Sequence, residues 1–281
     1  MLKVVFDLTD FEEVELVPVS DVHIGNQLCD IQTLHDIISY INDEPDDPKC
    51  ARICLLNGDL TESVTRQSVG NVFDMTMTPS VQVATMIQML KPLAEPREHY
   101  PKGKILSYCG GNHDTERYKD TGISASESIA VGLEMEDRYS ANGCYSFIKL
   151  KRTQCDNRTT VVTVYNQHLT GSASTVGGKA NRIEKISNGV LADLYVGGHY
   201  HLPMTYKEDV IMPNYSQYSL TQKTMTYVIV NAFLRYGDYA QKMGLKPSSI
   251  TIPKIFLRQK RTMRKTESDT DRRFINVEVL L

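Results

Sequence analysis

Short apolar segments alternate with amphipathic segments along most of this 281-residue chain. Candidate strands at residues 52–56 and 104–109 enclose a candidate helix at residues 80–90, and the same order recurs further along the sequence. Strands that alternate with helices in this way are typical of crossover units, in which neighbouring strands run parallel. The pattern therefore predicts an α/β protein whose sheets are at least partly parallel.

The remaining elements follow from the same apolar periods and from their capping residues. Residues 30–41 predict a helix with Asp30 as its N-cap. Ser124 and Glu127 have the spacing of a capping box at the start of a helix over residues 124–135. Residues 3–6 and 14–19 are interpreted as a hairpin. Further strands are predicted at residues 145–150, 160–165, 194–196, 228–230, 252–257 and 274–279, with a loop and helix at 177–189. Since no linker is found, we expect a single domain over residues 1–281.

Composition and charge exclude several classes of protein. A hydrophobic fraction of 41% and a charged fraction of 23% are those of an ordinary globular protein. No apolar run approaches the roughly 20 residues that span a bilayer. The first residues lack a secretory signal, so a cytoplasmic location without membrane attachment is expected. Six cysteines without C-x-x-C spacing predict reduced thiols. A net charge of -3 gives no general attraction to nucleic acid, which would require a local basic patch.

Five of the predicted strands run directly into clusters of polar residues. Ligand sites in open α/β sheets lie at the carboxyl ends of the strands, so these clusters are expected to converge on one crevice. Glycine precedes three of the clusters and lets the backbone turn sharply there. The clusters are Asp21-Val22-His23, Gly58-Asp59, Gly111-Asn112-His113-Asp114, Gln167-His168 and Gly198-His199-Tyr200-His201.

Histidines are concentrated in these clusters. The chain has seven histidines, and five of them follow predicted strands, whereas His35 and His99 lack such a context. Asp, His and Asn without thiolate suit Mn, Fe or Zn in a five- or six-coordinate site rather than a cysteine-rich zinc site. The candidate ligands are too many for one catalytic ion with open positions, but they fit two. Two ions roughly 3.5 to 4 Å apart can share a carboxylate, bind a phosphoryl group and lower the pKa of a bridging water.

In order along the chain, the clusters match the pattern D-x-H, G-D, G-N-H-[DE], H and G-H-x-H, and this pattern resembles that of the calcineurin-like metallophosphoesterase superfamily. The resemblance extends over residues 17–203 and holds at every position of the pattern. It implies a four-layer α-β-β-α sandwich with two mixed central sheets flanked by helices. It also implies a phosphoester hydrolase in which a metal-bridging hydroxide attacks phosphorus in line.

The resemblance further implies a role for each residue of the pattern. One divalent ion is implied to be held by Asp21, His23 and His201, and the other by Asn112, His168 and His199. Asp59 is implied to bridge the two ions. His113 resembles the non-ligand histidine that stabilises the phosphoryl oxygens or protonates the leaving group, with Asp114 orienting its ring. Mn²⁺ is the expected ion, and Fe, Zn and Mg are the alternatives.

Departures from subfamily patterns narrow the function. Protein Ser/Thr phosphatases of the superfamily carry G-D-x-x-D-R-G, whereas this chain has Gly58-Asp59-Leu60-Thr61-Glu62-Ser63. The D-V-H-I-G and G-N-H-D segments resemble SbcD-type DNA exonucleases, and the G-D-L-T and G-H-Y-H-L-P segments equally resemble class III cyclic-nucleotide phosphodiesterases. Residues 177–181 and 232–240 resemble phage- and prophage-encoded metallophosphoesterases. A phosphodiesterase or nuclease is the leading hypothesis. The alternatives are a cyclic-nucleotide phosphodiesterase or small-molecule phosphomonoesterase, and a non-catalytic metal-binding scaffold.

Three features outside the pattern bear on the substrate, a phosphate ester for which DNA and nucleotides are the candidates. Tyrosines are dense over residues 195–239, where a core role competes with stacking on bases, and Tyr200 must line or support the site. The basic residues of segment 258–273 are interrupted by acidic ones, which favours a solvated hairpin loop over a nucleic-acid contact. The loop over residues 171–179 is interpreted either as a mobile rim over the substrate or as a plain connection.

Overall fold

The computed structural model describes residues 1–65, 72–116, 122–153, 156–215, 218–237, 241, 247, 250–261 and 273–281. The strands are β1 (Leu2–Leu8), β2 (Glu13–Val19), β3 (Cys50–Asn57), β4 (Ile105–Cys109), β5 (Tyr139–Ser140), β6 (Cys144–Thr153), β7 (Asp156–Gln167), β8 (Leu194–Gly197), β9 (Met204–Asn214), β10 (Ser219–Ile229), β11 (Lys254–Arg261) and β12 (Arg273–Leu280). The helices are α1 (Ile31–Asn42), α2 (Pro79–Ala94), α3 (Asn112–Glu116), α4 (Ala125–Gly132) and α5 (Val176–Ser187), with 3₁₀ turns at Val72–Asp74 and Glu136–Arg138. Across the described ranges, no helix has both the length and the apolar character that a membrane span needs.

The strands form two six-stranded sheets. The first sheet has the order β1-β6-β7-β8-β10-β9, and the second has the order β12-β11-β2-β3-β4-β5. Strands β7, β8 and β10 run parallel in the first sheet, and β2 to β5 run parallel in the second. Strand β1 also pairs parallel with β6, and the remaining pairs are antiparallel, so each sheet is mixed.

Side chains alternate between the two faces of each sheet and so build three apolar layers. Leu16 and Ile53 belong to the layer between the sheets. The outer face of the second sheet packs against α1, α2 and α4, and Leu34 is one of the helix residues buried there. The outer face of the first sheet packs against α5, where Ile183 lies in one cluster with Tyr195 and Tyr227. Helices, two mixed sheets and a further helix therefore form four layers, and the predicted fold class is confirmed.

Two helices begin where their capping residues predicted. The Asp30 carboxylate accepts a hydrogen bond from the backbone N–H of Thr33 at 3.2 Å, directly before α1. The Ser124 hydroxyl accepts from the backbone N–H of Glu127 at 3.4 Å, directly before α4. Amides of the first helical turn have no partner within the helix, so these oxygens stabilise the ends. Both N-cap predictions are confirmed.

The predicted hairpin between the first two strands is wrong. Strand β1 pairs with β6 in the first sheet, whereas β2 pairs with β3 and β11 in the second. Phe6 and Leu8 from β1 share the buried layer between the sheets with Val14 and Leu16 from β2. Phe11, in the connection, is itself buried in that layer. The chain crosses from one sheet to the other because this buries the apolar side chains of β1 against those of β2. Such packing between sheets cannot be inferred from the spacing of the two strands in the sequence.

The pair β9–β10 is longer than the sequence predicted. The strand predicted at residues 228–230 covers only the end of β10, and no strand was predicted at the position of β9. Lys207, Glu208 and Asp209 interrupt the apolar period of β9, whose side chains are half-buried or exposed throughout. Strand pairing through the backbone sustains this edge of the first sheet without a regular apolar face.

The cysteines and the basic segment lie partly within the described residues. The described cysteines carry free thiols, as predicted, and Cys155 lies outside the described residues. Strands β11 and β12 pair as an antiparallel hairpin. Arg258 pairs with Glu13 and Glu278 at 2.7 Å. Residues 262–272 lie outside the described residues.

Candidate metal centre

The segments that follow β2, β3, β4, β7 and β8 carry every predicted site residue, and the segment after β4 includes the short helix α3. Three of these strands lie in the second sheet and two in the first, and their carboxyl ends meet at one end of the sandwich. Asn57, at the end of β3, contacts Gln167 and His168, at the end of β7. The predicted convergence is therefore seen, but it joins the edges of two sheets rather than one.

The first donor cluster contains Asp21, His23 and His201. Their ligand atoms lie within 4.8 Å of one another. His201 Nε2 lies 3.1 Å from Asp21 Oδ1 and 3.3 Å from His23 Nε2. Two ligands at right angles around an ion, each about 2.1 Å away, lie about 3.0 Å apart. The separations in this cluster therefore fit three ligands of one ion.

The second donor cluster contains Asp59, Asn112, His168 and His199. His168 Nε2 lies 3.1 Å from both Asp59 Oδ2 and Asn112 Oδ1, and His199 Nδ1 lies 2.9 Å from Asn112 Oδ1. The Asn112 oxygen thus faces only other acceptors. Turning the amide round would let its nitrogen donate to the same three groups. The present orientation fits a cation at the centre, and the turned amide satisfies the same groups without one.

Asp59 lies between the two clusters. Its Oδ2 is 3.1 Å from His168 Nε2 in the second cluster and 4.0 Å from His23 Nε2 in the first. Its Oδ1 accepts a hydrogen bond from the backbone N–H of His113 at 2.8 Å. Asp59 is 1% exposed, so its position is fixed by these contacts and not by solvent. A carboxylate placed in this way can contact two ions.

The electrostatics of the centre favour cations. Burial opposes protonation of both His23 and His168, since a low-dielectric surrounding disfavours charge. Glu62 nevertheless raises the pKa of His23 to about 9. Asp59 likewise raises the pKa of His168 to about 10. The carboxylates therefore draw positive charge into the cavity, as protons or as metal ions.

Several of the predicted ligands have a strained backbone. The φ angles of Asp21, His23, Asp59, His199 and His201 are 53°, 52°, 51°, 83° and 49°. Side chains other than glycine seldom adopt this left-handed region, which costs on the order of 1–3 kcal/mol for each residue. Within the described ranges only three other non-glycine residues share it: Ser63, Glu134 and Tyr218. Such strain concentrates at functional sites, so its coincidence with the predicted ligands supports a function here.

Two glycines allow the ligand loops to approach each other. A Cβ atom on Gly111 would lie 2.1 Å from Asp59 Oδ1, and one on Gly198 would lie 2.3 Å from Ser20 Oγ. Real contacts of carbon with oxygen do not reach these distances, so any side chain would push the loops apart. The prediction that glycine lets these loops come close is confirmed.

His113 borders the centre, and with His23 and Glu62 it forms a third group of candidate donor atoms within 4.8 Å of one another. Its ring Nδ1 lies 3.0 Å from the backbone oxygen of Glu62 and so donates to it. This contact occupies Nδ1 and leaves Nε2 as the ring nitrogen for contacts with a bound group. The ring packs edge-on against His23, with centroids 4.7 Å apart.

The expected role of Asp114 in orienting the His113 ring is wrong, because the Asp114 carboxylate lies elsewhere. It accepts hydrogen bonds from the backbone N–H and the hydroxyl of Thr61 at 3.0 and 2.8 Å. It also accepts from the backbone N–H groups of Leu60 and Gly111, both at 3.3 Å. Asp114 is fully buried and joins the loop after β3 to the loop after β4. The Glu62 carbonyl, and not Asp114, fixes the ring of His113.

Three residues that support the ligands were not predicted. Glu62 Oε2 lies 3.0 Å from His23 Nδ1, the Ser20 hydroxyl donates to Asp21 Oδ2 at 2.5 Å, and the Asn57 carbonyl accepts from His168 Nδ1 at 2.9 Å. Such contacts fix the tautomer and direction of a metal-binding side chain. Their only signal in the sequence is that each stands within three residues of a cluster.

The sequence also drew attention to Tyr200, His35 and His99, and none of these three is a candidate ligand in the structure. Tyr200 supports the site, because its hydroxyl donates to the carbonyls of Thr170 and Gly171 at 3.1 Å. His99 pairs with Asp10 at the surface, 3.2 Å away. His35 lines a groove of about 480 Å³ between α1 and α2, which lies apart from both donor clusters.

Comparisons with known proteins give only distant likenesses. No family model and no curated protein matches this sequence. One similar solved structure is a conserved uncharacterized protein of Streptococcus pneumoniae TIGR4, described as a predicted phosphoesterase. It is 8% identical over 94% of this chain and 98% of that chain, with a TM-score of 0.36. Another is Vps29 of Chaetomium thermophilum, 8% identical over 94% of this chain and 97% of that chain, with a TM-score of 0.33. Likenesses this weak do not bear on the chemistry, which must come from the site itself.

Proposed function

We propose that this chain is a phosphoester hydrolase that depends on two divalent metal ions, and that it acts as a phosphodiesterase or nuclease. The observation that carries the proposal is a pair of adjacent donor clusters with Asp59 between them. Asp, His and Asn donors without thiolate suit Mn, Fe or Zn with open coordination positions. Paired ions of this kind are the usual means of hydrolysing phosphate esters without a covalent intermediate.

Seven side chains would hold the ions. Asp21, His23 and His201 would hold the first, and Asn112, His168 and His199 the second, with Asp59 contacting both. When bound, such ions neutralise negative charge on the phosphoryl group and make a nucleophile from water at neutral pH.

The chain's own residues orient these ligands and manage protons. Glu62 holds the Nδ1 of His23, so that Nε2 of this ring faces the first cluster. Asn57 holds His168 in the same way for the second cluster. His113 has its Nδ1 occupied by the Glu62 carbonyl, so its Nε2 is the position from which a proton passes to the leaving oxygen.

Access to the centre favours a diester over a small enclosed substrate. The His201 side chain is 38% exposed, and Asn112 is exposed as well. A phosphate reaching these ligands can therefore carry a group on each side without entering a closed pocket. Small-molecule sites, in contrast, usually bury most of their ligand.

Metal loading followed by a substrate comparison tests the proposal. The protein is stripped with a chelator and reloaded with Mn, Mg, Zn or Fe, and bound metal is counted by mass spectrometry. Hydrolysis of bis(p-nitrophenyl) phosphate, p-nitrophenyl phosphate and DNA is then measured. We expect two ions for each chain and faster hydrolysis of diesters than of the monoester. His35→Ala is the matched control, since this histidine lies outside both clusters. Two bound ions without hydrolysis of any substrate would instead indicate a metal-binding scaffold.

A further inference from the structure

Helix α5 places two basic residues beside the metal centre. Lys179 and Arg182 are three positions apart and therefore lie on the same side of the helix. The Lys179 ammonium donates to the backbone oxygen of Tyr200 at 3.2 Å. Tyr200 stands between His199 and His201 in the sequence, so this cation is bonded to the backbone of the segment that carries one candidate ligand of each donor cluster.

The loop before α5 ties these cations to the ligands. It starts at His168 and ends at Thr175, the N-cap of α5. Tyr200 donates to the carbonyls of Thr170 and Gly171 within it. A Cβ atom on Gly171 would lie 3.3 Å from the guanidinium carbon of Arg182, so the guanidinium packs against the same loop. The loop 168–175 is thus held between the ligands and the basic pair.

Neither cation has an acidic partner among the residues that the structure describes. Among the described residues, no carboxylate oxygen lies within 4.0 Å of Lys179 or Arg182. Two buried cations do have such partners: Arg52 lies 2.7 Å from Glu15, and Lys104 lies 2.9 Å from Glu44. Burial lowers the pKa of Lys179, and no acidic group opposes this. Holding an unpaired ammonium partly out of water costs free energy, so an anion that pairs with it would be bound favourably.

The anion that fits this position is a phosphate. Lysine and arginine are the usual phosphate-binding side chains, and arginine binds phosphate oxygens in a bidentate manner. One phosphoryl group is served by the two proposed ions and needs no further cation. A phosphate one nucleotide away from the scissile one would reach beyond the ions, to a basic group at the rim.

We propose that Lys179 and Arg182 form a subsite for a second phosphate, so that the substrate is a nucleic-acid strand rather than an ester with a single phosphate. This subsite rests on the proposed phosphodiesterase function. It accounts for a half-buried lysine that pairs with a carbonyl beside the ligands. It also supplies the local basic patch that a chain of net charge -3 needs in order to bind nucleic acid.

Two substrates that differ by one phosphate test the subsite. One is the p-nitrophenyl ester of thymidine 5′-phosphate, and the other is the same ester with an additional 3′-phosphate. The isomeric pair, with the reactive ester at the 3′ position, covers the opposite polarity. We expect wild type to prefer the two-phosphate substrate of one pair by at least tenfold in kcat/KM. Lys179→Met and Arg182→Gln should each lower that preference by about tenfold, mainly through KM.

Matched variants separate binding from structure. Lys185→Met removes an exposed lysine from the same helix and should leave the preference unchanged. Lys179→Arg keeps the charge and should keep most of the preference. Anisotropy of a labelled oligonucleotide measures binding without turnover. Here each of Lys179→Met and Arg182→Gln should reduce the salt dependence of log K by about one, since each removes one phosphate contact.

The possible results distinguish the subsite from the proposed function. A Lys179→Met variant that loses activity equally on both substrates, together with bound metal, would overturn the subsite and make Lys179 a structural residue. An unchanged preference would overturn it as well. If wild type hydrolyses neither substrate with any ion, the proposed function fails. The anisotropy measurement then still decides the subsite, which is rejected if Lys179→Met binds the oligonucleotide as tightly as Lys185→Met.

Discussion

Replacing Asp59 by asparagine removes one negative charge from the point where the two donor clusters meet. The side chain keeps its size, and its Oδ1 can still accept the hydrogen bond from the backbone N–H of His113. The fold should therefore survive the substitution. The attraction for positive charge at His168 Nε2, 3.1 Å away, should largely disappear.

The pKa of His168 gives the size of this attraction. Burial opposes protonation, yet Asp59 leads the charges that raise the pKa from 6.5 to about 10. At about 1.4 kcal/mol for each tenfold change, this corresponds to about 5 kcal/mol of attraction for one positive charge. A divalent ion in the same position is attracted more strongly than a proton. We therefore expect Asp59→Asn to lower metal affinity, and with it turnover, by about 10³-fold or more.

Two measurements test this expectation independently. Turnover of bis(p-nitrophenyl) phosphate is followed as a function of Mn²⁺ concentration, and bound metal is counted in the same samples. In the metal-free protein, NMR titration of His168 should show its pKa falling toward the ordinary value. Asp36→Asn, an exposed carboxylate on α1, is the matched control and should change neither quantity. Less than a tenfold loss of turnover with both ions bound would refute a shared role for Asp59.

Three further substitutions or conditions give distinct expectations. His113→Ala should lower turnover by about 10²- to 10⁴-fold with the metal content intact, because the variant lacks the proposed proton donor. Loss of metal from this variant would make His113 a ligand instead. Glu62→Ala should weaken binding of the first ion by about 10- to 100-fold, because His23 loses the partner that fixes its ring. Calorimetry with Mn²⁺ measures this affinity, and equal values for the variant and the wild type would refute the expectation. Metal affinity should also rise with pH up to about 10, because the pKa of His23 is raised to about 9 and that of His168 to about 10, and both protons must leave before the ions bind. An affinity that is constant between pH 6 and 8 would contradict the assignment.

The order of most elements was predictable, and the residues of the candidate site could be named, because both depend on local patterns. Apolar periods mark strands and helices over short windows, and the caps Asp30 and Ser124 mark helix starts. Asp, His and Asn directly after a strand signal a site regardless of which strands are neighbours. The placement of β1 and β2 in different sheets was not predictable in the same way. The two strands separate because Phe6 and Leu16 are buried in one apolar layer between the sheets, and neither strand encodes this layer alone.

The supporting contacts were missed for a related reason. Glu62 acts on His23, which is 39 residues earlier in the chain, and Asp114 acts on Thr61, which is 53 residues earlier. Such contacts depend on how the backbone directs each loop after its strand has ended. A sequence pattern gives the residue types at a loop but not the direction of its carbonyl and amide groups. The role expected for Asp114 was wrong because its neighbour in sequence, His113, is not its neighbour in hydrogen bonding.

The left-handed backbone of the ligands has its physical explanation in the contacts between loops. The backbone N–H of Asp21 donates to the Gly58 carbonyl, and that of His23 donates to the Asp59 carbonyl, both at 3.0 Å. The backbone N–H of His199 donates to the Asp21 carboxylate at 2.9 Å. Three of the strained residues are therefore hydrogen-bonded through their backbone N–H groups to a loop that carries another predicted ligand, which offsets the cost of their φ angles. These bonds join protein groups, and they hold together the loops that carry the candidate donors.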